Sequence, residues 1–455
     1  MAGGTFTSQS KVLPGVYINV KSKEAVTINV GERGTVAIGK ALNWGVLGTV
    51  QTITAGEDLT PYIGCDITGA DALFIREMLK GSDSTSAPTK ILLYRLGTGG
   101  TQASATIGAL TATALYAGTR GNDISVAVSA DPDNVGSYDV TTIVDGASVD
   151  VQTITELDAL VANAWVTFSG TGSEITTTTG TALTSGANPT LTNSDYANFL
   201  TAIEPFRFDI LALDNTDSTI VSAYISFINR VNEAVGKKCQ LVCSGDATTA
   251  NSKYDIVVGN GVKLNDGTTL TASQAVYWVA GVEAGANYNQ SLTYAQYPGA
   301  VEANPKLTDT QLQTAVENGL LVFSDDFDVV KICTDVNSKK TVTPTEGAEF
   351  KKNRIMRVIM QFCNDTYEYF SKYFIGKVDN NDNGRALFRK WIIGYLNEIQ
   401  ANNGVQNFTA EDVTVAQGNA VDAVLVNVAI QPVDAVEKIY LAVTVTPNTV
   451  TVEAA

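Results

Sequence analysis

From residue 200 to 344, short runs rich in β-branched residues alternate with stretches of helical length. "RFDILALD", "KCQLVC", "YDIVVG" and "DVVKICTD" have the size and apolar content of buried strands. "STIVSAYISFINRVNEAVG" and "SQAVYWVAGVEAGA" are long enough for helices, the first with a natural stop at Gly236. Such alternation dictates a partly parallel sheet, because crossover helices must cover both of its faces. Residues 23–98 repeat the pattern, with "GTVAIGKAL" and "KILLYRL" around "TGADALFIREMLKG", where Thr68 is the expected N-cap and Gly81 the stop. These two blocks are expected to share one sheet.

Between them the composition changes. Residues 101–200 hold 19 threonines and ten acids against one basic residue, Arg120, with strand-like runs separated by Gly, Asp-Gly and Ser-Gly turns. A β-rich insertion over residues 99–199 is expected. From about 345 two long helices follow, "EFKKNRIMRVIMQFCNDTYEYFSKYFIGKV" and "RALFRKWIIGYLNEIQANNG". In the first, Ile355, Ile359 and Phe362 form the expected core stripe, with Arg354, Arg357 and Gln361 opposite. In the second, Phe388, Ile392, Tyr395 and Ile399 form the stripe. The fold class is therefore α/β and α+β multidomain. It comprises an arm over 1–22, an α/β core over 23–98 and 200–344, the insertion, a helix-plus-sheet domain over 345–435, and a C-terminal arm over 436–455.

A chain of 455 residues with 44% hydrophobic and 17% charged residues can bury several cores. Its net charge of −17 argues against nucleic acid and anionic membranes as partners. No run reaches the roughly 18 uncharged apolar residues of a membrane span, and no basic-then-apolar secretory signal opens the chain. The five cysteines, at 65, 239, 243, 333 and 363, read as reduced core thiols. Histidine is absent, which removes His-based nucleophilic sites and His-ligated metals.

Motifs that resemble chemistry read better as structure. "GTVAIGKA" has Ala41 where a phosphate loop needs Ser or Thr, and its middle residues are strand formers. "DNNDNG" (379–384) starts like a calcium loop but places Lys390 where a bidentate Glu belongs, so it reads as a helix-capping turn. Cys239 and Cys243 lie on one face of a strand with no second ligand pair. "GTRGND" (118–123) reads as a turn opening the insertion. No catalytic constellation, metal site or cofactor site is expected.

Two features call for a partner. Residues 350–390 carry nine basic and four acidic groups, against a net of −22 elsewhere, so a basic face on an acidic protein points to an acidic partner. The second is "VEKIYLAVTV", with Ile439, Leu441, Val443 and Val445 at every second position, the period of a half-buried strand. Burying four such side chains would contribute about 6–12 kcal/mol, while ordering some eight residues costs roughly 1–2 kcal/mol each. Such a strand therefore needs a ready-made sheet edge. That edge is either "VDAVLVNVAI" of the same chain, as a hairpin, or another molecule.

Nearly the whole chain resembles the tail sheath proteins of contractile phage tails and phage-tail-like bacteriocins, nearest to the defective-prophage type of Gram-positive bacteria. The residues that carry the likeness are "PGVYINV", "GTRGND", the helical block from "RIMRVIMQFCNDTYEYF" to "EIQANNGVQNF", and "IQPVDAVEKIYLAVTV". The resemblance implies a non-enzymatic subunit without cofactors, stacked as hexameric rings around a tail tube. It would be assembled in the bacterial cytoplasm and carried on a virion or released by lysis. The implied partners are further copies of the chain, tube protein, baseplate and tail terminator proteins. It also implies terminal arms that add strands to neighbours, here Val16, Tyr17, Ile18 and Val20, and Ile439, Leu441, Val443 and Val445. Lys351, Lys352, Arg354, Arg357, Arg385, Arg389 and Lys390 would face the tube, and the insertion would lie outermost. The alternative class is a surface-exposed β-rich binding or adhesin protein.

Overall fold

The computed structural model describes residues 30–245, 250–327 and 329–446, together with the two-residue strands Gly3–Gly4 and Val16–Tyr17. A seven-stranded sheet organises the centre. Its order is Leu320–Leu321, Asp255–Val258, Gln240–Ser244, Ile210–Ala212, Thr35–Lys40, Lys90–Arg95 and Val50–Thr54. All neighbours are parallel except the last pair. The two sequence blocks thus share one sheet, joined where Ile210 lies beside Val36. "GTVAIGKA" is strand Thr35–Lys40, and its lysine is taken by Asp214 and by Tyr277 Oη at 2.7 Å.

Each face is covered as the parallel topology requires. Helices Leu73–Met78 and Ala272–Gly285 bury one, and Asn193–Ile203 and Ser218–Arg230 the other. Ala272–Gly285 is apolar on nearly every side because it is buried on nearly every side, and Thr271 with Gln274 caps its start. A Cβ on Gly281 would lie 2.1 Å from the Met78 carbonyl, so glycine sets how closely these two helices approach. Thr68 is not the cap expected from the sequence. Asp66 accepts the Thr68 and Gly69 amides instead, and a 3₁₀ turn, Ala70–Ala72, precedes the helix.

The insertion leaves and returns through a paired neck, with Thr98 and Thr190 exchanging both backbone hydrogen bonds at 3.0 Å. It is a β-sandwich. Strands Ala147–Ile154, Tyr138–Val144, Ile124–Ala130 and Thr178–Ala182 face Val166–Ser169, Leu110–Ala114 and Ser104–Ile107. Alternate residues such as Val126, Val128, Val140 and Val144 fill the interior. Trp44, from the core, plugs this interior with its ring 5.2 Å from those of Trp165 and Tyr116. "GTRGND" does not open the insertion. It forms the 3₁₀ turn Thr119–Asp123 between the two sheets, where Arg120 binds Asp145 and the Gly64 carbonyl, tying the insertion to the core.

The last domain pairs helices Asn353–Tyr373 and Asp382–Ala401 through an aromatic seam, with Phe370 stacked on Phe388 and Tyr369 on Trp391. Asn381 accepts the Gly384 amide at 2.9 Å, the helix-capping role expected for "DNNDNG". Cys239 and Cys243 are buried free thiols at the sheet, with burial pushing the Cys239 thiol up to about 12. Among the described residues no helix is long and apolar enough to cross a membrane.

Candidate assembly interface

The helix Asn353–Tyr373 is covered on two sides. Met356 and Met360 pack into the core-sheet cluster while Val358 joins the C-terminal core. Two of the residues placed opposite the core stripe, Arg357 and Gln361, are consequently inside. Arg357 is fully buried, donating from Nη1 to Glu283, and from Nη2 to Asp335 and to the Gln290 carbonyl, both at 2.6 Å. Asn353 donates to Asp335 at 2.9 Å, and Gln361 reaches the Gly31 carbonyl at 3.0 Å. Arg357 therefore cannot face a tube. It locks the C-terminal domain onto the core, because a buried cation needs buried anions.

The two acids divide the charge. Burial works to raise Asp335, but Arg357 and the hydrogen bonds around it prevail and hold its carboxyl below the ordinary range. Glu283 is pushed up to about 8, chiefly by burial, with Asp335 adding to the rise. Glu283 is the single charge on an otherwise apolar helix run, "AGVEAGA". That pattern was the available sign that a buried cation must meet it.

The other basic candidates scatter. Lys352 pairs with Glu437. Arg354 is half-buried and reaches the Asn403 carbonyl at 3.5 Å. Arg385 binds Asn380 and Asp382, holding the turn at the start of its helix, and Arg389 donates to the Val413 and Ala410 carbonyls, tying the helix to the ribbon that follows. Lys351 is half-buried and Lys390 exposed.

At the N-terminus, Val16–Tyr17 pairs in parallel with Gly3–Gly4, whereas Ile18 and Val20 lie outside the described residues. At the other end the same-chain hairpin does not form. Val424–Val428 pairs with Val413–Gln417 instead, through five residues in register. Residues 439–445 belong to no strand or helix, with Ile439 84%, Leu441 82%, Val443 75% and Val445 85% exposed. The Val413–Gln417 and Val424–Val428 ribbon has only two strands among the described residues, so each keeps an open edge. Beside Val424 lies a depression lined by Phe374, Ile375, Val378 and Phe388.

A layered α/β core, a β-sandwich insertion and a helix-plus-ribbon domain whose last described apolar run is unpaired together define a multidomain protein of mixed helix and sheet. Four family models match in succession. They are the "Tail sheath protein Gp18 domain III N-terminal region" over residues 33–96, the "Phage tail sheath protein beta-sandwich domain" over 98–188, the "Phage tail sheath protein central domain" over 190–338 and the "Phage tail sheath C-terminal domain" over 345–446. The phage-like element PBSX protein XkdK of Bacillus subtilis is 34% identical, covering 98% of this chain and all of the relative. A solved sheath tail protein from Desulfitobacterium hafniense is 40% identical with a TM-score of 0.84, over 94% of this chain and 99% of that one. The contracted helical sheath of the anti-feeding prophage shares the fold, with a TM-score of 0.59 at 13% identity over 95% and 99% of the two chains. This chain belongs to the phage tail sheath family.

Proposed function

We propose that the chain is the repeating subunit of a contractile tail sheath. Copies stack as six-membered rings around a tail tube and are joined by strands that each subunit lends to its neighbours. Contraction of the lattice drives the tube through a cell envelope, without cofactor or catalysis. Subunits assemble in the bacterial cytoplasm, with baseplate and terminator proteins at the two ends. Lys351, Arg354, Arg385, Arg389 and Lys390 are the tube-facing basic set, and residues 99–199 form the outer surface. Family membership displaces the adhesin alternative.

The observation that carries this reading is the exposed apolar run Ile439, Tyr440, Leu441, Val443 and Val445 together with a ribbon that, among the described residues, has two strands and is open at both edges. Apolar strand-forming residues and unsatisfied strand edges are hazards in water unless they meet each other. The ribbon's edges are the acceptors, and the depression beside Val424 takes apolar side chains of the incoming strand. Val16–Tyr17 of a further copy supplies another strand. Each joint is weak alone, and the lattice makes many of them at once.

Electron microscopy of the purified chain at high concentration tests this. The full chain is expected to form rings or helical tubes, and a chain ending at residue 435 to remain folded and unassembled. Monodisperse full-length monomers, or tubes from the shortened chain, would overturn the reading.

A further inference from the structure

The C-terminal run does not leave the subunit loosely. Gln431–Pro432 is paired with Val405–Gln406, and the Val433 amide donates to the Gly404 carbonyl at 3.0 Å. Four residues later Glu437 turns back onto the body. Its Oε1 accepts from Thr293 Oγ1 at 2.8 Å, and its Oε2 pairs with Lys352. Only 13% of the Glu437 side chain and 24% of the Lys352 side chain are exposed, between Val436 at 84% and Ile439 at 84%. A carboxylate this covered, in a run otherwise open to water, is held there by its partners.

These partners lead inward. Thr293 Oγ1 accepts the Asp335 amide at 3.0 Å, and Asp335 is the acid that binds Arg357 at 2.6 Å and Asn353 at 2.9 Å. Thr293 follows the core helix Ala272–Gly285, whereas Lys352 and Arg357 belong to the C-terminal domain. One continuous set of hydrogen bonds therefore runs from Glu437 to the buried joint between the core and C-terminal domains.

We propose that Glu437, clamped by Lys352 and Thr293, is the fixed pivot of the C-terminal arm. It sets where the lent strand leaves the subunit and passes tension in that strand to the rigid joint at Asp335 and Arg357. Residues before 437 move with the subunit, and residues after it move with the neighbouring copy. Lys352 thus holds the arm and does not face a tube. This inference rests on the reading of residues 439–445 as a strand lent to a second copy. Glu437 is a positioning residue in that assembly.

The test compares the concentration at which the full chain begins to polymerise, measured by sedimentation, in Glu437→Gln, Lys352→Glu and the swapped pair Glu437→Lys with Lys352→Glu. Both single variants are expected to keep the parent melting temperature within a few degrees and to need about tenfold more protein to assemble. The swapped pair is expected to recover most of that loss, which simple surface destabilisation would not do. Single variants that assemble at the parent concentration, or a swapped pair no better than either single variant, would overturn the pivot. A chain ending at residue 437 keeps the clamp and lacks the arm. If it polymerises like the full chain, the arm reading fails and the pivot with it. If it does not polymerise while Glu437→Gln does so normally, only the pivot fails.

Discussion

Replacing Arg357 with methionine is expected to destabilise the protein by about 3–5 kcal/mol, because it leaves the Asp335 carboxylate buried without its cation and the Glu283 carboxyl without its donor. The guanidinium is wholly enclosed and spends its two terminal nitrogens on Glu283, Asp335 and the Gln290 carbonyl. Methionine fills most of the volume, so the loss reports the orphaned Asp335 carboxylate more than a cavity. Lysine is expected to fail as well, since one ammonium cannot reproduce a forked donor that bridges two acids. Urea unfolding of the purified chains measures this, and a loss below about 1 kcal/mol would mean that the pair is solvated.

Asp255→Asn is expected to act in the opposite direction, with an effect that depends on pH. Asp255 is fully buried at the start of strand Asp255–Val258, and neither carboxylate oxygen accepts a hydrogen bond. Burial pushes its carboxyl up to about 7. The folded pKa is raised, so well below pH 4 both states hold the proton and the group adds no pH-dependent cost. As pH climbs from about 4 to 7 the unfolded chain releases its proton while the folded chain keeps it, so stability falls across that window. Three units correspond to about 4 kcal/mol at most, and the asparagine amide, itself short of partners, retains about 1–3 kcal/mol of desolvation cost. The parent should therefore lose a few kcal/mol more than Asp255→Asn between pH 4 and pH 8 in urea unfolding. Identical pH dependence in the two proteins would show that the carboxylate is solvated or paired.

Much of the architecture was legible because burial writes itself into period and length. The strands Thr35–Lys40 and Gln240–Ser244 and the helix Ala272–Gly285 all fall where their apolar runs place them. Arg357 was misread because one stripe on a helix defines an opposite face only when nothing packs there. Ile355, Met356, Val358, Ile359, Met360 and Phe362 surround most of that helix, a sign of contact on two sides. The basic count over 350–390 misled for a related reason. Charge tallies do not distinguish Lys390, which is exposed, from Lys352, which is paired with Glu437, or from Arg357, which is enclosed. The terminal strand left two partners open, because the alternation of a β run names a face to bury and not the backbone that will pair with it. In the structure residues 439–445 belong to no strand, so the hairpin is not formed although Val424–Val428 keeps a free edge.

Hydrogen exchange of residues 424–428 and 436–446, in dilute monomer and in assembled material, tests strand lending most directly. The amides of 439–445 are expected to exchange freely in the monomer and to become protected on assembly, together with the outer edge of Val424–Val428. Protection of 439–445 already present in the monomer, or absent from the assembled material, would contradict it.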